Sequence, residues 1–167
     1  MLRCLGADPV EVRKPEQLEG LDGLVIPGGE STTFMRLMRL YGLEEAVRRF
    51  EQPILGTCAG LILLDREHLG LLDVDVARNA YGRQVASFEA DLQLTGDDRP
   101  LRGVFIRAPR VERTGDDVEV LAELDGEPVL LRQGRLLVAT FHPELTDDTR
   151  VHELFLESVR EASLVGT

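Results

Sequence analysis

Apolar positions recur along this chain with two periods, and the change from one to the other divides it. In the first half, short apolar runs alternate with helical spacing. Residues 2–5 before Gly6 read as the last turn of a helix closed by a glycine. Val10 and Val12 alternate as in a short strand. Residues 21–26 form an apolar strand candidate, broken sharply by Pro27-Gly28-Gly29-Glu30-Ser31. Ser31 is placed to N-cap a helix in which Phe34, Leu37, Met38 and Tyr41 recur at helical spacing. A second helix over 43–50 carries Glu44 and Glu45 early and Arg48 and Arg49 late, the order that suits the helix dipole. Residues 53–56 make a short buried strand, followed at once by Thr57-Cys58-Ala59-Gly60 and a helix from Leu61.

From Val74 the pattern shortens to alternating strands over 74–77, 87–94, 103–106, 118–124, 128–131 and 136–141. Turn residues separate them, among them Gly96-Asp97-Asp98, Gly115-Asp116-Asp117, Asp125-Gly126 and Gln133-Gly134. Residues 147–162 close the chain as an amphipathic helix. Early βα alternation followed by a β-rich half predicts an α/β fold with an added antiparallel portion. No repeat or linker interrupts residues 1–167, so a single domain is expected.

Composition narrows the partners. Nineteen basic residues stand against thirty acidic ones, a formal charge of -11, whereas a nucleic-acid partner demands a basic face. The richest apolar stretch, 60–64, is far too short to span a bilayer. The first residues lack a secretory apolar region, so a cytoplasmic protein is expected, with Cys4 and Cys58 as free thiols. Two cysteines and three histidines (His68, His142, His152) at unrelated spacings make no zinc cluster.

Cys58 stands at a strand-to-helix junction between Gly56 and Gly60. Small neighbours suit a tight nucleophile turn, and the following helix start offers positive dipole to an anion. A free cysteine more often serves as a small buried hydrophobe, so the junction alone leaves both readings open. His142 tips the balance. It ends an apolar strand in Thr140-Phe141-His142-Pro143-Glu144, and Pro143 holds it extended. In extended chain, residues two apart share a face, so Glu144 can fix one imidazole nitrogen while the other meets a nucleophile. The competing reading is a strand-end histidine with a chance surface glutamate. In the Gly28-Gly29-Glu30 turn, bare backbone N–H groups can approach a ligand and complete an oxyanion hole, while Glu30 can hold an ammonium group. Taken alone, that turn is more simply a strand-to-helix connection. His68 fits no catalytic position, and His152 is expected exposed on the last helix.

Together these segments resemble the class I (triad) glutamine amidotransferases, and most closely the branch that serves pyridoxal 5′-phosphate synthase. The motifs are PGGEST (27–32), GTCAGL (56–61), ARNAYGRQVASFE (77–89), GVFIRAP (103–109) and FHPELTDDTRV (141–151). GTCAG and FHPE mark the superfamily; the others narrow it to the vitamin B6 branch. The resemblance implies a three-layer, flavodoxin-like fold, its mostly parallel sheet flanked by helices, with an antiparallel extension. It implies Cys58 as nucleophile with His142 and Glu144 as relay, and glutamine contacts from Gly28, Gly29, Glu30, Arg78, Ile106 and Arg107. Backbone N–H groups of Gly29 and Ala59 would form the oxyanion hole. Hydrolysis of L-glutamine to glutamate and ammonia is implied, with ammonia passed to a synthase subunit and no metal or organic cofactor. The family also opens with a strand, a Leu-Gln-Gly-type loop and most of a helix ahead of the residues seen here as 1–6, about twenty residues at typical element lengths. On that comparison an interior strand and a loop near the active site are expected to be missing here. Two rivals remain: another Cys–His α/β hydrolase, which has no call for Glu30 or the His-Pro-Glu unit, and a non-catalytic regulatory subunit.

Overall fold

A computed structural model describes residues 1–78 and 87–165, the side chain of Val165 excepted. Nine strands are described: β1 (Leu24–Ile26), β2 (Ile54–Thr57), β3 (Val74–Ala77), β4 (Ser87–Leu94), β5 (Pro100–Ile106), β6 (Arg110–Thr114), β7 (Glu119–Leu124), β8 (Glu127–Gln133) and β9 (Leu136–Ala139). The helices are α1 (Ser31–Leu40), α2 (Leu43–Arg48), α3 (Ala59–Leu64) and α4 (Arg150–Val165). Seven strands form one mixed sheet in the order β1-β2-β9-β8-β7-β4-β5, while β3 and β6 pair as a separate ribbon. The β1–β2 and β2–β9 ladders are parallel. The other four ladders of the large sheet are antiparallel, so the expected antiparallel portion is the longer arm.

The three layers follow from the period-2 alternation of the central strands. Ile54, Leu136 and Val138 point into one core, with Met35 and Met38 of α1, Val47 of α2 and the leucines of α3. Leu55, Leu137 and Ala139 point into the other, against Val151 and Phe155 of α4 and Phe105 of β5. A strand apolar at every position can be buried on both faces only if helices cover both. Leu61, Leu63 and Leu64 are fully buried, each contributing about 1.5–3 kcal/mol. The short helix that begins at Cys58 is thereby pinned by its core. No helix among the described residues is long and apolar enough to cross a membrane.

Several boundaries differ from the sequence reading. Leu2–Leu5 is a 3-10 turn closed by Gly6 in the left-handed region. Residues 7–13 adopt no regular structure, so the Val10–Val12 alternation does not become a strand. Two alternating residues need a neighbouring ladder to become one. Among the described residues nothing pairs with the outer side of β1. An apolar groove of about 900 Å³ runs along that edge, lined by Val12, Leu21, Val25, Phe155 and Val159 among others. In α1 the buried face is Met35 and Met38, with Leu37 and Tyr41 exposed. The last helix starts at Arg150 rather than at 147. The strand β6 had no alternating signature, because its outward residues are Arg110, Glu112 and Arg113. Most of the 77–89 motif, residues 79–86, lies outside the described residues.

Candidate active site

The parallel strands deliver Cys58. Its amide donates to Ala139 O at 2.8 Å, continuing the β2–β9 ladder by one residue past the strand end. The chain then turns through φ 50, ψ -104 at Cys58 before entering α3. A non-glycine residue in that region costs about 1–3 kcal/mol and persists only where the surroundings over-determine it. Here they do: a Cβ placed on Gly60 would lie 2.0 Å from Ile26 O, so α3 packs directly on the end of β1. Cys58 is 7% exposed.

His142 comes from the end of β9 and is held by its amide, which donates to Val104 O at 2.8 Å. Its Nδ1 lies 2.7 Å from Glu144 Oε1, and its ring stands next to Cys58, both packing against Gly28. The sequence reading had His142 and Glu144 sharing one face of an extended segment. The contact instead spans a turn, since Pro143–Leu145 is a 3-10 turn with His142 as its N-cap. Proline enforces that turn just as it forbids a continued strand. The hydrogen bonds to Cys58 first and Glu144 second raise His142 to about 9, against the opposing effect of burial. Burial pushes Glu144 upward, but the hydrogen bond from His142, its backbone and nearby positive charge outweigh it and leave the carboxyl below its ordinary value.

Gly28 completes the contact. A Cβ there would meet His142 Cε1 at 2.4 Å and Cys58 Cβ at 3.4 Å, so the histidine ring lies where any other side chain would begin. Gly29 has φ 153, reserved in practice for glycine. Glu30, not Ser31, caps α1: Oε1 accepts from Thr32 N at 2.9 Å and Oε2 from Thr33 N at 2.7 Å and Thr33 Oγ1 at 2.5 Å. The hydroxyl and amide of Thr33 lower the Glu30 carboxyl to about 2. A carboxylate has about four acceptor positions, so Oε1 keeps one for a cationic group. Ile106 ends β5 beside the thiol, its carbonyl 3.9 Å from Sγ, and Arg107 follows at φ 45. Arg78 donates to Thr32 Oγ1 at 3.1 Å and so joins the start of α1.

Thus the structure brings Cys58, His142, Glu144, Gly28 and Ile106 together directly, with Arg78 joined to Glu30 through Thr32. Ala59 opens α3, where first-turn N–H groups have no intrahelical acceptor. Sequence reasoning missed Thr32 and Thr33, which are ordinary helix-start residues until Glu30 is seen to cap. It also misplaced His152, which is 5% exposed rather than on the surface. Its Nδ1 makes no hydrogen bond among the described residues, and burial depresses its ionisation while Glu144 opposes that. The signal was available: His152 precedes Phe155 and Val159 by one and two turns, on the face of α4 that packs inward. Among the described residues no cluster of three or more His, Cys, Asp or Glu is placed to hold a metal ion.

Comparison with known proteins leads the same way as the geometry. The chain is 52% identical to the pyridoxal 5′-phosphate synthase subunit PdxT of Niallia circulans, over 97% of this chain and 90% of that one. It is 51% identical to the protein of the same name from Geobacillus kaustophilus, over 99% of this chain and 90% of that one. A crystal structure of a glutamine amidotransferase superposes with a TM-score of 0.88 at 50% identity, covering 95% of this chain and 89% of that one. The profile of the SNO glutamine amidotransferase family matches residues 1–161, and to that family this chain belongs.

Proposed function

We propose that the protein hydrolyses L-glutamine to L-glutamate and ammonia through a thioester on Cys58, as one glutamine amidotransferase domain over residues 1–167. The observation that carries the reading is the placement of the His142 ring between Cys58 and Glu144, in space that only Gly28 leaves open. His142 takes the thiol proton, and Sγ attacks the side-chain amide carbon of glutamine. The amide N–H groups of Gly29 and Ala59 receive the oxyanion. His142 returns its proton to the departing nitrogen, the C–N bond breaks and ammonia leaves. The same ring then accepts a proton from water as water attacks the thioester; the C–S bond breaks, the proton returns to Sγ and glutamate is released. Glu144 holds the imidazole in one tautomer throughout and stabilises its positive form. Arg78, Arg107 and Ile106 would bind the amino-acid end of glutamine with Gly28, Gly29 and Glu30.

The likeness to chains named as subunits of pyridoxal 5′-phosphate synthase supports a synthase partner that consumes the ammonia. Two free thiols fit a reducing, cytoplasmic setting. A charge of -11 speaks against a nucleic-acid partner.

The test sets Cys58 against Cys4. Cys4 is exposed and Cys58 buried, so access alone favours labelling of Cys4. A glutamine-mimicking electrophile is expected to modify Cys58 and spare Cys4, with excess glutamine protecting. Cys58→Ser should lower glutamate release in the presence of synthase by about a thousandfold or more. Preferential labelling of Cys4, or a tenth of the activity left in Cys58→Ser, defeats the assignment.

A further inference from the structure

A second histidine–carboxylate pair lies at the far end of α3. Asp65 closes that helix with its side chain only 2% exposed. Its Oδ1 accepts from Glu67 N and His68 N, both at 2.9 Å, and lies 2.7 Å from His68 Nδ1. A buried carboxylate oxygen so engaged has no freedom to swing. The loop is tied from outside as well, because Arg48 Nη2 donates to His68 O at 3.0 Å. Ring and backbone of His68 are therefore both fixed.

The other ring nitrogen meets Arg78, whose Nη2 lies 2.5 Å from His68 Nε2. A guanidinium has donors only, so Nε2 accepts and the ring proton sits on Nδ1, where Asp65 receives it. Arg78 Nη1 donates to Thr32 Oγ1 at 3.1 Å, in the first turn of α1 beside the Glu30 cap. Among the described residues no carboxylate lies within ion-pair distance of Arg78. Two neutral acceptors set the direction of the guanidinium without cancelling its charge. A carboxylate at position 68 would hold the arginine as firmly and neutralise it. Among the described residues its remaining N–H groups meet no acceptor, which leaves them open to an anion.

We propose that His68, its tautomer fixed by Asp65, is a positioning residue that aims Arg78 at the carboxylate of bound glutamine. The inference rests on the reading of Arg78 as a glutamine contact, and the test separates the two. Glutamine KM and kcat are measured with synthase saturating for wild type, Arg78→Ala, His68→Asn, His68→Gln and the double variant His68→Asn/Arg78→Ala. Asparagine places a donor where Nδ1 stood and keeps the bond to Asp65, but offers nothing at Nε2. Glutamine at 68 reaches further and presents an oxygen to Arg78.

Arg78→Ala is expected to raise KM roughly tenfold or more, the usual worth of a charge-assisted contact, with kcat held. His68→Asn should raise KM severalfold at unchanged kcat, and His68→Gln should restore part of it. The double variant should match Arg78→Ala alone, since the histidine acts only through the arginine. A raised KM in Arg78→Ala with a wild-type KM in His68→Asn overturns the positioning role while sparing the substrate contact. Loss of kcat in His68→Asn, or no difference between Asn and Gln, overturns it as well. An unchanged KM in Arg78→Ala removes both readings. Should His68→Asn not fold, His68→Gln decides: a KM near wild type supports the proposal, and one equal to that of Arg78→Ala overturns it.

Discussion

His142 and His68 make the same bond, Nδ1 to a carboxylate oxygen at 2.7 Å, and differ in everything around it. Glu144 is 38% exposed and sits in a three-residue turn, whereas Asp65 is 2% exposed and also accepts two backbone amides. The third groups differ too: a thiol that can give up a proton stands beside the His142 ring, and a guanidinium that can only donate faces His68 Nε2. A ring that must gain and lose charge in each turnover needs a partner free to adjust and a neighbour able to exchange the proton. A ring that serves to hold a neighbour in place is suited by a locked partner and a donor-only neighbour. The shared pair therefore does not define a catalytic histidine; the third group does.

The largest test of that contrast acts on the space around one ring and leaves the other alone. Gly28→Ala puts a methyl where His142 Cε1 now lies, so the ring must rotate away from Cys58 or Glu144. Misplacing a reacting group by about 1 Å costs about a hundredfold in rate. We expect kcat for glutamine hydrolysis with synthase to fall about that far, with the His68–Arg78 contact left in place. A kcat within threefold of wild type would show that the ring has room to spare.

The two carboxylates should respond oppositely. Glu144→Gln leaves the turn intact but offers a neutral partner to an imidazolium, so kcat should drop on the order of ten- to a hundredfold at nearly unchanged stability. Asp65→Asn keeps an acceptor for the two backbone amides but places an amide in a buried site built around a carboxylate. It should cost about 1–3 kcal/mol, read as a melting temperature lower by several degrees. Its kcat should hold. A loss of kcat in Asp65→Asn as large as that in Glu144→Gln would erase the distinction between the pairs.

The legibility of these two regions in the sequence differs for a physical reason. Cys58 and His142 announce themselves through local chemistry: small residues bracket the cysteine, and a proline follows the histidine. Both signals survive without knowledge of the fold, and Glu144 came with them, although by a turn rather than by strand alternation. Asp65 and His68 are three residues apart in a loop, and what makes them a unit is Arg78, brought in by the β3–β6 ribbon. No period within α3 or β3 encodes that meeting. Glu30 was legible as a site residue but not as a cap, because Ser31 beside it is the commoner cap. Most strands of the antiparallel arm were legible because alternation and turns such as Asp125-Gly126, both at positive φ, specify a hairpin locally. The Val10–Val12 strand failed because a strand is a property of a pair.

The smallest expected effect is thermodynamic, and it reports on the His142 proton without an activity assay. His142 is raised to about 9 in the folded protein by Cys58 first and Glu144 second, while an unfolded histidine titrates near 6.5. A group that holds its proton more tightly when folded contributes stability that is complete below about 6.5 and lost as pH rises through about 9. The acid side has other sources. Glu30 and Glu144 are depressed, so their contributions are present above their unfolded value of 4.5 and vanish as pH falls through their folded ones. His152 is depressed by burial, and its contribution is likewise lost only as pH falls below about 6.5. The interval from 6.5 to 9 therefore isolates His142 from these three. The melting temperature of the wild type should decline across it on the order of a few degrees. His142→Asn should flatten that decline and Cys58→Ser should shrink it, since each removes a member of the contact. Equal slopes in wild type and His142→Asn would mean that the proton is not held where the geometry places it.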